Sequence, residues 1–194
     1  MAELAEADRD IARAVKQMGL PEPRLRPAGF ETLFAVIVSQ QISTEAARAI
    51  RERVVALMGE VTPQALLRVK PDALRQAGMS FRKIDYARGL AQAIVDGELD
   101  LDGMKKRSDA EVIEAITALR GFGAWSAEIY LMFSLRRRDV FPAGDLALRS
   151  ALARLKGIEE KVTERQAREL VEHWSPWRSV GSLFLWHYYR GAPA

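Results

Sequence analysis

Cysteine is absent from all 194 residues. That one absence removes disulfides, thiolate zinc sites, iron–sulfur clusters and thiol nucleophiles, and it is compatible with a reducing compartment. Histidine is almost absent: His173 and His187 are too few for a histidine-rich metal centre. No apolar run approaches the roughly 20 residues needed to span a bilayer, and the longest, Leu33 to Val38, is the size of a core segment. The N-terminal stretch MAELAEADRDIARAV carries acids throughout and shows no basic segment followed by an apolar one. No secretory signal and no membrane partner are therefore expected, and a cytoplasmic protein is. Asp96, Glu98, Asp100 and Asp102 alternate like calcium ligands, but Leu101 stands where an EF-hand loop needs Gly and Arg107 where it needs the terminal Glu. That reading is rejected, and no metal site is expected from the sequence.

What is present is an ordinary globular composition, 48% hydrophobic and 28% charged. At this length a chain buries roughly 70% of its unfolded surface, which is enough for a core without covalent staples. Net charge is only +3, yet the 29 basic residues divide into 22 Arg and 7 Lys. An Arg excess suits bidentate phosphate contacts. It is equally a mark of GC-rich genomes, so by itself it decides nothing.

Nearly every segment repeats with a 3.6-residue period. Helices are predicted over Ala5 to Met18 (broken by Pro21 and Pro23), Phe30 to Ser39, and Glu45 to Met58 behind a Ser43 or Thr44 cap. Thr62-Pro63 opens a short helix to about Val69, and Pro71 to Ala77 repeats the device. Ser80 to Val95 follows, ended by Asp96-Gly97. Ser108 with Glu111 reads as a capping box for a helix to Leu119. Ala124 to Leu135, Asp145 to Leu155, Thr163 to Trp174 and Trp177 to Tyr189 complete the set. No stretch alternates cleanly, so the fold class is all-α, with about ten helices.

Between two of these helices lies Leu119-Arg120-Gly121-Phe122-Gly123-Ala124-Trp125-Ser126-Ala127. Glycines at alternate positions permit positive φ and let an anion approach the backbone. The free N–H groups opening the second helix carry the positive end of its dipole. Such a seat holds a phosphate without reading a base, which is what backbone positioning on nucleic acid requires. Ser126 offers a hydroxyl there. A tight helical hairpin needing Gly only for its turn accounts for the same residues.

This Leu-x-Gly-x-Gly-x-x-x-Ala hairpin is followed by Asp145 within Val140-Phe141-Pro142-Ala143-Gly144-Asp145-Leu146. The combination resembles the helix-hairpin-helix–Gly/Pro–Asp superfamily of DNA glycosylases, and more closely its DNA-3-methyladenine glycosylase II branch in the compact form without an N-terminal β-domain. Three further segments match that branch: Ile37 to Ser43 (IVSQQIS), Gly78 to Lys83 (GMSFRK) and Trp174 to Ser179 (WSPWRS). The resemblance implies one glycosylase domain of two helical lobes with an active-site cleft between them. One lobe would hold about residues 30–107, the other 1–29 with 108–194, and the hairpin about 108–135.

It also implies roles. Asp145 becomes the catalytic carboxylate: cleaving an N-glycosidic bond builds cationic character on the sugar, and a carboxylate stabilises that charge and orients the attacking water. An Asp at a helix start is also a favoured cap, and the two roles are compatible. Trp125 and Trp186 match positions that face the extracted base, where an indole attracts a cationic alkylpurine by roughly 0.5–2 kcal/mol; an ordinary core Trp is the bland alternative. Tyr130, Phe133 and Tyr188 read as core, and Ile129 stands where some relatives carry a pocket Tyr. Members that also cut the strand place a Lys where this chain has Trp125, so a monofunctional enzyme without abasic-site lyase activity is implied.

A base inside a duplex must be rotated out and its place filled. Gln41 lies where the family inserts its wedge, with Gln40 supporting the turn. Gly121, Gly123, Ser126 and Arg178 join Gln41 as DNA-contact candidates, although Arg178 is as readily explained by a structural ion pair. Arg82, Lys83, Arg120 and the run Arg136-Arg137-Arg138 are basic enough to line DNA and ordinary enough to be solvated surface. No cofactor is expected, beyond a sodium or similar cation on the hairpin carbonyls when DNA is bound. The partner is duplex DNA bearing alkylated bases, met by a monomer near the nucleoid. Two other readings stay open: the same scaffold acting on ethenoadenine, hypoxanthine or 1-methyladenine, and a non-catalytic damage sensor needing only the glycine seat and a basic surface.

Overall fold

In the computed structural model, residues 1–22 and 27–191 are described. Among them the chain forms twelve α-helices and no strand. In chain order these are α1 Ala2–Ala7, α2 Arg9–Met18, α3 Phe30–Ser39, α4 Thr44–Met58, α5 Pro63–Arg68, α6 Pro71–Gln76, α7 Phe81–Val95, α8 Asp109–Thr117, α9 Ala124–Phe133, α10 Leu146–Lys156, α11 Glu164–Leu170 and α12 Arg178–Gly191. Short 3₁₀ turns occur at Gly103–Lys106 and Glu172–Trp174. The all-α expectation holds, with two more helices than the ten anticipated. Pro23, expected to help end the first helix, lies outside the described residues.

The helix starts were legible because side chains announce them. Ser43, Thr62, Ser80, Asp145 and Thr163 each accept a backbone N–H from the first turn they cap. Ser108 and Glu111 form the anticipated capping box. The differences lie at ends and breaks. The helix predicted over Ala5 to Met18 is two helices, because Asp8 adopts an extended backbone (φ −138°, ψ 111°) and caps α2 through Asp10 N–H and Ile11 N–H. The helix predicted over Thr163 to Trp174 stops at Leu170 and finishes as a 3₁₀ turn. Asp96 and Asp100, from the calcium-like stretch, serve local structure: Asp96 accepts Gln92 Nε2, and Asp100 accepts Gly103 N–H at 2.9 Å.

Two compact units emerge. One comprises Met1–Leu25 with Arg136–Ala194, the other Arg26–Leu135. The expected grouping put the hairpin segment 108–135 with the terminal segments, whereas its packing joins it to 26–107. The physical reason lies in α9, where every residue from Ser126 to Phe133 is buried. Removing such side chains from water is worth about 1.5–3 kcal/mol for each large aliphatic or aromatic one. α9 packs on α8 and α3, and Tyr130 Oη accepts Gly29 N–H at 3.1 Å. Tyr130 and Phe133 are core, as expected.

The core of the terminal unit gathers Leu4, Ile11, Phe141, Leu148, Leu152, Trp174 and Phe184 from α1, α2, α10, α12 and the intervening turns. Its polar hub is Asp8. That carboxylate, only 3% exposed, accepts Lys156 Nζ at 2.7 Å and Trp174 Nε1 at 2.6 Å, and lies 3.0 Å from His173 Nε2. Burial alone would raise its pKa. The hydrogen bonds from Lys156, Trp174 and Ile11 outweigh burial and hold the carboxyl well below the ordinary range. The break between α1 and α2 is thus fixed by partners some 150 residues downstream in the sequence.

Candidate nucleic-acid interface and carboxylate

Within the Arg26–Leu135 unit, three segments converge on a groove of about 790 Å³. They are the α3–α4 turn with Ser39, Gln40 and Gln41, the start of α7 from Ser80 to Lys83 with Tyr86, and the hairpin with Gly121 and Trp125. Two side-chain bonds tie the segments together. Gln40 Nε2 donates to Gly121 O at 2.7 Å, and Lys83 Nζ donates to Val38 O in the last turn of α3 at 2.7 Å. A cation on a helix C-terminal carbonyl is stabilising by about 0.3–1 kcal/mol. Half-buried in this position, Lys83 has its ammonium pKa pushed down by desolvation.

Those ties support Gln41. It is exposed and takes a left-handed backbone (φ 58°), a conformation costing a non-glycine residue about 1 kcal/mol. The anchors on either side of it hold that geometry. Gln40 supports the turn and Gln41 points outward, as the sequence led one to expect.

The two hairpin glycines are there for different reasons. Gly121 has φ +92°, and a Cβ on it would lie 2.2 Å from the Tyr86 ring, so the fold itself demands glycine. Gly123 has an extended backbone (φ −116°) and a Cβ on it would meet nothing within 4 Å. Nothing in the fold requires glycine there. It caps α9 with no side-chain hydrogen bond, leaving open space over the positive end of the helix dipole. Trp125, at the second position of α9, is 37% exposed and faces the groove.

Ser126 differs from expectation. It is only 4% exposed, and its N–H donates back to Gly123 O at 3.0 Å. One turn into α9 the helix already faces the core, so neither group of Ser126 is presented outward. The hairpin carbonyls also have donors inside the protein: Gly121 O accepts Gln40, and Gly123 O accepts Ser126 N–H and Ala127 N–H.

In the terminal unit, Asp145 caps α10, with its Oδ1 accepting Leu148 N–H at 3.0 Å. It is half-buried, and its own N–H is tied to Pro142 O at 2.9 Å, which fixes the Pro-Ala-Gly turn ahead of it. Capping therefore occupies one oxygen and orients the carboxylate. Trp186 is half-buried and packs against the core of the same unit. Tyr188 stacks on Phe184 with ring centres 6.2 Å apart, consistent with a core-side role.

Arg178 also takes the more ordinary of its two readings. Nε and Nη2 each reach Asp139 at 2.7 Å in a two-pronged pair, and the Arg178 N–H donates to the same carboxylate. These bonds pull Asp139 down to about 2, chiefly through the Arg178 hydrogen bond, and raise the pKa of Arg178. The guanidinium is committed to closing the start of α12, together with Ser175 Oγ on Asp139 and Ser179 Oγ on Arg137 O. Arg120 pairs loosely with Asp85 at 3.2 Å, both well exposed, and such a pair contributes little.

A helical hairpin with an open glycine at its second helix, followed by a capped Asp after Pro-Ala-Gly, is the arrangement that decides the family. This chain belongs to the HhH-GPD superfamily of base excision DNA repair proteins. The family description matches residues 34–176. Over 190 residues the chain is 30% identical to DNA-3-methyladenine glycosylase 1 of Schizosaccharomyces pombe, covering 94% of this chain and 83% of that one. It is 29% identical to DNA-3-methyladenine glycosylase 2 of Escherichia coli, over 90% of this chain and 64% of that protein.

Among solved structures, a DNA-3-methyladenine glycosidase of Bacillus halodurans superposes with a TM-score of 0.84 at 36% identity, covering 96% of this chain and 87% of its own. The S. pombe 3-methyladenine DNA glycosylase in complex with abasic DNA gives 0.89 at 30% identity, covering 97% and 95%. Among the described residues no helix is long and apolar enough to cross a membrane.

Phe81 and Tyr86 line the groove and were not singled out by sequence reasoning. Phe81 stands three residues before Ile84, so its spacing assigns it to the buried stripe of α7; instead it is 70% exposed. Tyr86 had no signal of its own, since its role is to press against Gly121.

Proposed function

We propose that this HhH-GPD protein is a monofunctional glycosylase that hydrolyses the N-glycosidic bond of alkylated purines, of the 3-methyladenine and 7-methylguanine type, flipped out of duplex DNA. The observation that carries the reading is the groove in which Gln41 and Trp125 meet the open, uncapped start of α9 at Gly123. A strand phosphate seated on α9 puts Gln41 at the position where an extruded base leaves a gap and its amide can pair with the orphaned partner. N3- and N7-alkylated purines are cationic and already weakened at the glycosidic bond. They need little protonation, and an electron-rich indole with one carboxylate suffices. Trp125 and Trp186 supply indole faces, and Asp145 stabilises the sugar cation and orients water, with its cap to Leu148 holding the carboxylate in place.

Strand cleavage by a lyase step needs an amine where Trp125 stands. The single Lys lining the groove, Lys83, is tied to Val38 O, which supports glycosylase activity without lyase activity. The reaction we describe uses no cofactor; a monovalent cation beside bound phosphate would do no more than help hold the strand. One copy of the chain carries all the named groups, so we infer a monomer acting on DNA in the cytoplasm.

The test is single-turnover release of 3-methyladenine from alkylated duplex, followed by alkaline cleavage of the abasic product. The wild type is expected to yield alkali-dependent breaks only. Asn caps a helix as well as Asp does, so Asp145→Asn keeps α10 intact. It is expected to slow turnover by at least about 10²–10³-fold while leaving DNA binding in place. Wild-type turnover in that variant would refute the catalytic assignment, and persistent binding without abasic product in the wild type would favour a damage sensor.

A further inference from the structure

Phe81 is the most exposed large apolar side chain among the described residues, at 70%, and it lines the same groove as Gln41 and Trp125. Exposure alone means little for a single apolar residue. Its setting says more. Ser80 caps α7 with its Oγ on Lys83 N–H, which fixes Phe81 at the first helical position. The Arg75 guanidinium lies 5.0 Å from the ring centre, and Arg75 Nη1 is itself braced on Met79 O at 3.1 Å. One side of the ring is thus backed by a fixed cation while most of its surface stays in solvent. A ring held in this way loses little rotamer freedom when something packs on it. The groove lining carries Arg82 and Lys83 and no carboxylate, so the charge around the ring suits a polyanion that also offers flat apolar faces.

We propose that Phe81 is a second DNA-contact residue, stacking on a nucleobase beside the gap that Gln41 enters. The occupant is a nucleobase of the same duplex, left without a stacking neighbour when the damaged base is extruded. Aromatic stacking of this kind is tolerant of base identity, since every base has a π-face. Phe81 therefore adds affinity for gapped duplex over intact duplex without choosing the lesion. This rests on the glycosylase reading for its choice of DNA, but it does not rest on catalysis.

The experiment is performed in the Asp145→Asn background, with a fluorescein-labelled duplex carrying a stable abasic-site analogue and a matched undamaged duplex. Phe81→Ser is expected to weaken binding to the gapped duplex about tenfold, within the range of one lost base–aromatic stack. Phe81→Tyr should stay within about twofold, since the stacking face is retained. Both variants should melt within about 2 °C of the parent, because an exposed side chain contributes little to stability. The proposal is overturned if Phe81→Ser binds the gapped duplex like the parent, if Tyr fails as badly as Ser, or if affinity for undamaged duplex falls equally. If the wild type releases no base from alkylated DNA, the glycosylase reading fails while this binding comparison still stands or falls by itself.

Discussion

Two helix starts in this protein look alike in sequence and are used in opposite ways. α9 opens after Arg120-Gly121-Phe122-Gly123, and α12 opens after Ser175-Pro176-Trp177. Each carries small or rigid residues before the helix and a polar residue within its first turn, and each was read as a DNA contact. At α12 the polar groups are consumed internally: Asp139 receives Arg178 N–H, both guanidinium prongs and Ser175 Oγ. At α9 the cap is a glycine without a side-chain bond, and the space above it is open. A helix N-terminus already satisfied by its own protein has no dipole end left for a ligand, whereas one left unsatisfied is stabilised by an incoming anion. Sequence shows that a helix begins; which of these two states it is in depends on a residue elsewhere in the chain.

The comparison can be broken at four points, the largest effect first. Gly121→Ala places a methyl 2.2 Å from the Tyr86 ring at a positive φ, so a loss of about 3 kcal/mol is expected in denaturant unfolding. A loss under about 1 kcal/mol would show that the hairpin yields easily. Arg178→Ala should destabilise by about 1–3 kcal/mol by stranding Asp139, with affinity for abasic duplex unchanged under conditions where the variant is folded. A salt-dependent loss of affinity would instead return Arg178 to the DNA surface.

Acid should act on the terminal unit. The carboxyls of Asp139 and Asp8 are held below their unfolded values, so their contribution is fully present above about pH 4. It is lost as the pH falls, for Asp139 through about 2 and for Asp8 at lower pH still. Guanidinium midpoints measured between neutral pH and acid should decline over that range for the wild type, and less steeply for Asp139→Asn. Smallest in free energy is Gly123→Ala: its Cβ points into open space, so melting should shift little, while affinity for DNA should fall roughly tenfold by crowding the phosphate seat. Equal affinity would mean that the strand approaches elsewhere.

Much of the fold could be read before any coordinates, because helix caps and the 3.6-residue stripe are local. Ser108 with Glu111 needs only a turn of helix to act, and so does Ser80 over Lys83 N–H. Gln41 and Trp125 were legible as site candidates through the motifs around them, and the fold brings them to one groove. Phe81 was not, since its spacing from Ile84 is that of a core residue and only the end of α7 leaves it uncovered. Ser126 was read too optimistically, because the second turn of α9 faces inward, and nothing within the hairpin's own residues fixes that rotation.

By itself, then, the amino-acid order determined the class of elements, their starting points, the absence of thiol chemistry and the family to which the chain belongs. Tertiary structure decided which polar groups remain for DNA. It broke the first helix at Asp8 to supply Lys156 and Trp174 with a carboxylate, closed Arg178 onto Asp139, and left Gly123 open. The reason is reach: a cap or an amphipathic stripe is settled within four residues of the chain, whereas a buried charge is settled by whichever partner folding brings within 3 Å.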